Sequence, residues 1–427
     1  MSRLLLHGDV GPQPIGVLSQ YGDILRVSFD DSYIENPSRP TLSLSYQGAD
    51  ETQTKAILGS DRDSRLIRND GRWPAYFQNL LPEGHNRERL ANQRGCADTD
   101  EFELLAAAGT DLMGALEVRP MKADELVPDT LRLWQQAQGL ELVDEGFVEV
   151  PVEDAASIPG VVTKFSAVNE GRRYIVKRDG KAGSYILKLP TSRHPDLVAI
   201  EFIGFTLLRR LGINCAHVEV IAKEQAELPE TVPFNDILAV KRFDRTTGGG
   251  RIHMEEFAQV FGYPPRAKYG KGLAHDFVGM LQILNQLSSH PVEDVQELVN
   301  RLVAYTLMGN TDAHLKNWAL IYPDGLHPRL APAYDIVSVS SFFASIGPQD
   351  YALNRAIDVT MSALTWDELN ALLKSAGILR PVRVVQNAKE IVKQVKDQWP
   401  LELRAAPARM RDEVIRRLQG GVAFSRV

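Results

Sequence analysis

The chain has 427 residues, of which 44% are hydrophobic and 24% charged, with a formal net charge of -7. That length exceeds the usual single-domain size, so two or three packed units are expected, and the composition excludes wholesale disorder and a fibrous class. The acidic balance argues against a nucleic-acid mode driven by overall positive charge, and Cys96 and Cys215, far apart and outside any CxxC or Cys/His spacing, support neither a disulfide framework nor a zinc site.

The run Leu4-Leu5-Leu6 is broken at His7-Gly8-Asp9 and is too short for a signal peptide, and no stretch approaches a membrane span, so a cytoplasmic location is expected. Up to about residue 50, short apolar runs (15–18, 24–29, 42–46) alternate with Gly, Pro, Asn and Asp, which predicts short antiparallel strands. From Trp73 the pattern turns helical through Phe77, Leu80 and Leu81, breaks at Pro82-Glu83-Gly84, and resumes from Phe102 to an alanine run ending at Gly109. Residues 1–120 therefore read as a β-then-α amino-terminal unit. Between Met121 and Ala156 stand nine acidic side chains against Lys122 and Arg132, with Pro128 and Pro151 as breakers. Residues 121–156 read as an acidic connector, with one helix over 131–142.

Two strands are expected next, at 174–177 and 185–189, joined as a hairpin by the Gly- and Asp-rich stretch 178–184. Asp196 opens an amphipathic helix that Gly212 stops, and strands follow at 218–221 and 237–240. Residues 157–245 thus predict a small α+β lobe. Residues 246–427 predict a mainly helical lobe, best marked by Val295, Leu298, Val299, Leu302, Val303, Thr306 and Leu307 at helical spacing.

That helix ends near Gly309, and Asp312, Lys316 and Asn317 follow at once, then a strand-like run at 318–322, a Pro323-Asp324-Gly325 turn, and Asp335. Phosphoryl transfer from ATP needs a carboxylate to orient or deprotonate the hydroxyl, an amide and a second carboxylate to hold magnesium, and positive charge on the phosphates. Asp312 with Asn317 five residues later reproduces the base-to-metal-ligand spacing of a protein-kinase catalytic loop, and Asp335 takes the place of the magnesium-binding aspartate beyond the hairpin, without the Asp-Phe-Gly triplet. Either residue alone is an ordinary loop-capping side chain; their shared setting favours function. Lys188 on a strand and Glu201 on the next helix stand in the order of a phosphate-positioning lysine and its carboxylate partner. The loop 157–165 would bring backbone N–H groups and Lys164 near phosphates, although it is no Walker A motif. His314 lacks a second ligand at metal spacing and reads as loop-shaping. Lys316 carries no assigned role.

Several strings together resemble the HipA family, the kinase toxins of bacterial toxin-antitoxin modules. They are Asn79-Leu80-Leu81-Pro82-Glu83-Gly84 with Arg87, Glu256-Phe257-Ala258-Gln259, Pro264-Pro265-Arg266-Ala267-Lys268-Tyr269, the loop Gly309–Asn317, and Leu330-Ala331-Pro332-Ala333-Tyr334-Asp335-Ile336-Val337-Ser338. The resemblance implies a bilobal protein-kinase-like α+β fold with a β-rich amino-terminal subdomain, and an ATP- and Mg2+-dependent serine/threonine kinase. By it, Asp312 is the catalytic aspartate, Asn317 and Asp335 bind magnesium, and Lys188 contacts the ATP phosphates. Val240, Lys241, Arg242 and Phe243 form the adenine hinge with Asp244 near the ribose, and Ser157 matches a loop serine that is autophosphorylated. Val162 and Lys241 depart from the family pattern. The partners implied are a protein substrate, an aminoacyl-tRNA synthetase in family precedent, and a HipB-like DNA-binding antitoxin, with DNA reached only through it. Two alternatives stand beside this reading: a small-molecule phosphotransferase, and a degenerate kinase fold that only binds.

Overall fold

Apolar alternation over the first thirty residues produces paired strands, as a half-buried sheet requires. The computed structural model describes residues 3–8, 14–122, 125–140, 151–152, 155, 163–176, 182–228, 233–345 and 351–427. The first sheet contains β1 (Arg3–Gly8), β2 (Pro14–Tyr21), β3 (Ile24–Phe29), β4 (Ile67–Arg68) and β5 (Leu116–Pro120), in the antiparallel order β4-β3-β2-β1-β5. The expected strand at 42–46 does not form. Ser43 Oγ and Leu44 N donate to the buried Glu255 carboxylate at 2.6 and 3.0 Å, and a backbone committed to a carboxylate bends into a 3-10 turn over Leu44–Tyr46 instead of joining a ladder. Short helices Ala75–Asn79, Gly84–Arg94 and Glu101–Ala108 cover one face of this sheet around the fully buried Trp73, Phe77 and Phe102.

Within the expected connector, α1 (Asp129–Ala137) is shorter than the 131–142 helix the sequence suggests, and residues 141–150 lie outside those described. It buries Leu131 and Trp134 beside Val17, with the Arg26 guanidinium 5.2 Å from the Trp134 ring centre. The start of the acidic stretch is therefore packed onto the first sheet, because its few apolar residues fall on one helix face.

The second sheet is six-stranded. It holds β6 (Lys164–Glu170), β7 (Arg173–Ile175), β8 (Tyr185–Lys188), β9 (Val218–Ala222), β10 (Ala226–Glu227) and β11 (Asp236–Lys241), in the order β10-β7-β6-β8-β11-β9. This corrects the expected hairpin: β7 does not pair with β8. The stretch around Lys164, read as a loop, is itself strand β6, which lies between them and turns tightly into β7 through Gly171. Its polar Lys, Ser and Asn obscured it, although Phe165 and Ala167 on the alternate positions are buried. The helix α2 (Leu197–Arg210) packs on this sheet and begins after Asp196.

The largest core belongs to the helical lobe, where α3 (Asp276–Leu287), α4 (Pro291–Met308) and α5 (Pro381–Glu402) pack together around Leu298, Leu302, Val395 and Trp399. A three-stranded antiparallel sheet of β12 (His253–Glu256), β13 (Ala319–Tyr322) and β14 (Arg329–Leu330) lies at its edge. The loop of interest runs from the end of α4 to the start of β13. Among the described residues no helix is long and apolar enough to cross a membrane.

Gly309 ends α4 in the left-handed region with φ +80°, and a Cβ there would lie 1.9 Å from Ser340 Oγ and 2.9 Å from Arg417 Nε. Gly377, at φ +77°, has nothing within 4 Å of that position. Both alanine substitutions carry left-handed strain, but only Gly309→Ala adds overlap. We expect Gly309→Ala to cost about 3 kcal/mol and Gly377→Ala about 1 kcal/mol, read by denaturant unfolding.

Candidate active site

The loop after α4 folds on its own backbone. The Asp312 carbonyl accepts from His314 N at 2.7 Å and from Asn317 Nδ2 at 2.8 Å, while Asn317 N donates to the His314 carbonyl at 2.7 Å. The two residues picked out by their spacing are thus joined directly. Asp312 Oδ1 accepts from the Tyr269 hydroxyl at 2.8 Å. Burial lifts the Asp312 carboxyl above the ordinary aspartate range, and the Tyr269 hydrogen bond partly opposes that. His314 is pushed down to about 3 by burial and by neighbouring Lys268, so it is neutral. Its ring lies edge-on against Tyr269 and lines the same cavity as Asp312.

Four charged side chains from four elements meet beside this loop. Lys188 on β8 donates to Glu201 on α2 and to Asp335 Oδ1, and Lys164 on β6 stands 3.5 Å from Asp335 Oδ2. Antiparallel register places Lys164 directly opposite Lys188, which is why two lysines share one carboxylate. Burial alone opposes ionisation of Asp335, but the Lys164 and Lys188 ammonium groups outweigh it and hold the carboxyl far below the usual range. Burial likewise disfavours charge on Lys188, and Asp335 and Glu201 more than restore it. Burial dominates at Lys164 and lowers it. Asp335 itself takes φ +56°, a conformation that costs about 1 kcal/mol and that aspartate tolerates better than most residues. Ala333 bonded to Asn214 and Ala216, and Tyr334 Oη bonded to the Lys316 carbonyl at 2.9 Å, hold it there.

Lys164, Lys188, Glu201, Asp312, Asn317 and Asp335 all line one cavity of about 250 Å³ between the second sheet and the helical lobe. The segment Val240–Asp244 lines it too. Lys241 is exposed there, while the Arg242 and Asp244 side chains are already engaged. Arg242 binds Asp111 and Asp244, and Arg245 binds the same two carboxylates. Asp244 Oδ2 also accepts from Gly114 N at 2.8 Å. This buried four-charge cluster ties the strand β11 to the amino-terminal unit. Ser157 and Val162 lie outside the described residues.

Sequence reasoning left Lys316 without a role and passed over its partners. Lys316 is buried, 2.9 Å from Glu83 and 3.4 Å from Glu256, and donates to the Asn79 carbonyl at 3.1 Å. Glu83 also pairs with Lys268 at 3.2 Å. The Asn79–Gly84 string therefore reaches across to grip the loop. Burial opposes ionisation of Glu83, yet Lys316 and Lys268 bring it down to about 2, whereas burial prevails at Glu256 and raises it to about 7. Charged residues in that string were the available signal, since a carboxylate among apolar helix ends needs a partner.

Ionised Asp335 and the amide oxygen of Asn317 are hard donors facing one cavity, the ligand type magnesium selects. Among the described residues no group of three or more His, Cys, Asp and Glu is arranged to hold a metal. The pair fits an ion that takes its other ligands from phosphate and water.

The HipA N-terminal domain matches residues 9–119 of the chain, and the HipA-like C-terminal domain matches residues 156–399. Y4dM of Sinorhizobium fredii is 34% identical over 92% of this chain and 91% of its own length. The serine/threonine-protein kinase toxin HipA of Shewanella oneidensis is 28% identical over 62% of this chain and 63% of its own. In structure, the chain is similar to the Shewanella oneidensis MR-1 complex of HipA, HipB and operator DNA. The TM-score there is 0.66 at 21% identity, with 99% of this chain and 96% of that chain covered, a likeness in bilobal α+β fold.

Removing Lys316 leaves the buried Glu256 without its ion-pair partner and Glu83 with Lys268 alone. Lys316→Met should lower stability by about 3–5 kcal/mol in denaturant unfolding at pH 8, and Lys316→Met/Glu256→Gln should recover part of that loss.

Proposed function

The chain belongs to the HipA family, and from that premise we propose that it is an ATP- and magnesium-dependent serine/threonine protein kinase, the toxin of a toxin-antitoxin pair. The observation that carries the reading is the convergence of Asp312, Asn317, Lys188, Glu201 and Asp335 on one cavity. In this mechanism Glu201 orients Lys188, and Lys188 and Lys164 offer positive charge to the ATP phosphates. Asn317 and Asp335 would hold magnesium, which would supply charge neutralisation for the phosphates. Asp312 accepts the proton of a serine or threonine hydroxyl as its oxygen bonds to the γ-phosphorus and the bond to ADP breaks. Val240–Phe243 border the adenine. Asp244 holds the hinge in place through Arg242 and Arg245, and by resemblance lies near the ribose.

Two further parts of the reading draw on the family. A HipB-like antitoxin that carries the complex to DNA is the expected partner, since the structurally similar HipA of Shewanella oneidensis is solved in complex with HipB and operator DNA. Phosphorylation of Ser157 would add about two negative charges next to bound phosphates and inactivate the enzyme.

Labelled phosphate from ATP should pass into proteins of a cell lysate with wild type. With Asp312→Asn the transfer should fall by at least about 100-fold. Label confined to small molecules would overturn the protein-kinase reading. In the same preparations, intact mass should show a phosphate on wild type that Ser157→Ala lacks.

Burial places the acid limb of the rate above the pH of an ordinary aspartate, because Asp312 must be ionised to accept the proton. Tyr269 donates to that ionised form, so Tyr269→Phe should move the limb to still higher pH in a pH–rate profile. An unmoved limb would remove Asp312 from the role of base.

A further inference from the structure

A second depression, of about 390 Å³, opens beside the loop between the Leu81–Arg87 segment and the Pro265–Tyr269 segment. Glu83 and Lys268 line both it and the main cavity, and Tyr269, which donates to Asp312, forms part of its wall. The groove therefore leads outward from the carboxylate that would receive the acceptor's proton. Its lining carries three cations, Arg87, Arg266 and Lys268, against the one carboxylate of Glu83, on a chain whose net charge is -7. Two of these cations are engaged: Arg87 with the Asp98 carbonyl and Glu101, and Lys268 with Glu83. Arg266 is exposed, and among the described residues it makes no hydrogen bond or ion pair. Arg266 follows two prolines and is the middle residue of a 3-10 turn, Pro265–Ala267, which restricts its backbone.

We propose that this groove takes the polypeptide flanking the acceptor serine or threonine, and that Arg266 selects acidic side chains there. The inference rests on the protein-kinase reading and adds the substrate's local chemistry to it. An arginine fork held at the mouth of an open groove pairs bidentately with a carboxylate on the incoming chain. Prolines and an aliphatic wall, Leu81 and Leu353, leave room for main chain without offering a competing anion.

The test maps phosphorylated serines and threonines in a dephosphorylated cell lysate treated with ATP and magnesium and wild type, Arg266→Ala or Arg266→Glu. The readout is the ratio of sites with Asp or Glu within five residues to sites with Lys or Arg there. Because the ratio is internal to each preparation, partial misfolding of a variant cannot imitate the effect. Wild type should favour acidic flanks, Arg266→Ala should lower the ratio about tenfold, and Arg266→Glu should invert it. Phosphorylation without flank preference, or the same ratio in all three, overturns the groove assignment and leaves the kinase reading standing. No Asp312-dependent phosphosite at all overturns both.

Discussion

Asp335 is held between two lysines, and the rest of the site is arranged around that contact. Lys164, Lys188 and Glu201 are buried and Asp335 is half-buried beside them, an arrangement that is tolerable only because each charge has an opposite neighbour. The contact joins two strands and a helix to the helical lobe: Lys164 and Lys188 come from the second sheet, Glu201 from α2, and Asp335 from beyond β14. Any shift of the sheet against the helical lobe would separate the two buried lysines from Asp335.

The same physics recurs at the seams with the amino-terminal unit. Asp111, Arg242, Asp244 and Arg245 form one buried cluster, and Glu83, Lys268, Lys316 and Glu256 form another. Glu255, receiving Ser43, Leu44 and Tyr322, adds a third polar junction. The amino-terminal unit thus supports both the end of β11 and the loop that carries Asp312. Buried ion pairs contribute modestly to net stability, but they penalise every alternative docking in which one partner is left alone.

Two aspartates in one cavity are driven apart in acidity by these surroundings. Asp335, flanked by ammonium groups, stays ionised far below the usual range, while Asp312, half-buried with a neutral tyrosine hydroxyl and a neutral histidine nearby, is lifted above it by desolvation. A permanently ionised carboxylate suits a metal, and one whose proton affinity is raised suits proton transfer.

Much of this was readable along the chain, because helix periodicity and the five-residue spacing of Asp312 and Asn317 are local facts. The amphipathic pattern of α4, the helix after Asp196, and the order of Lys188, Glu201, Asp312, Asn317 and Asp335 needed no fold to be noticed. Strand β6 escaped, since its polar residues mask the alternation and its identity depends on lying between two other strands. Residues 42–46 looked like a strand, yet a carboxylate from more than two hundred residues away captures their backbone. The linking of Lys316 to Glu83, of Arg242 to Asp111, and of Lys164 to Asp335 joins residues far apart in sequence. Such pairings are set by which elements pack together, and only the tertiary structure decides that.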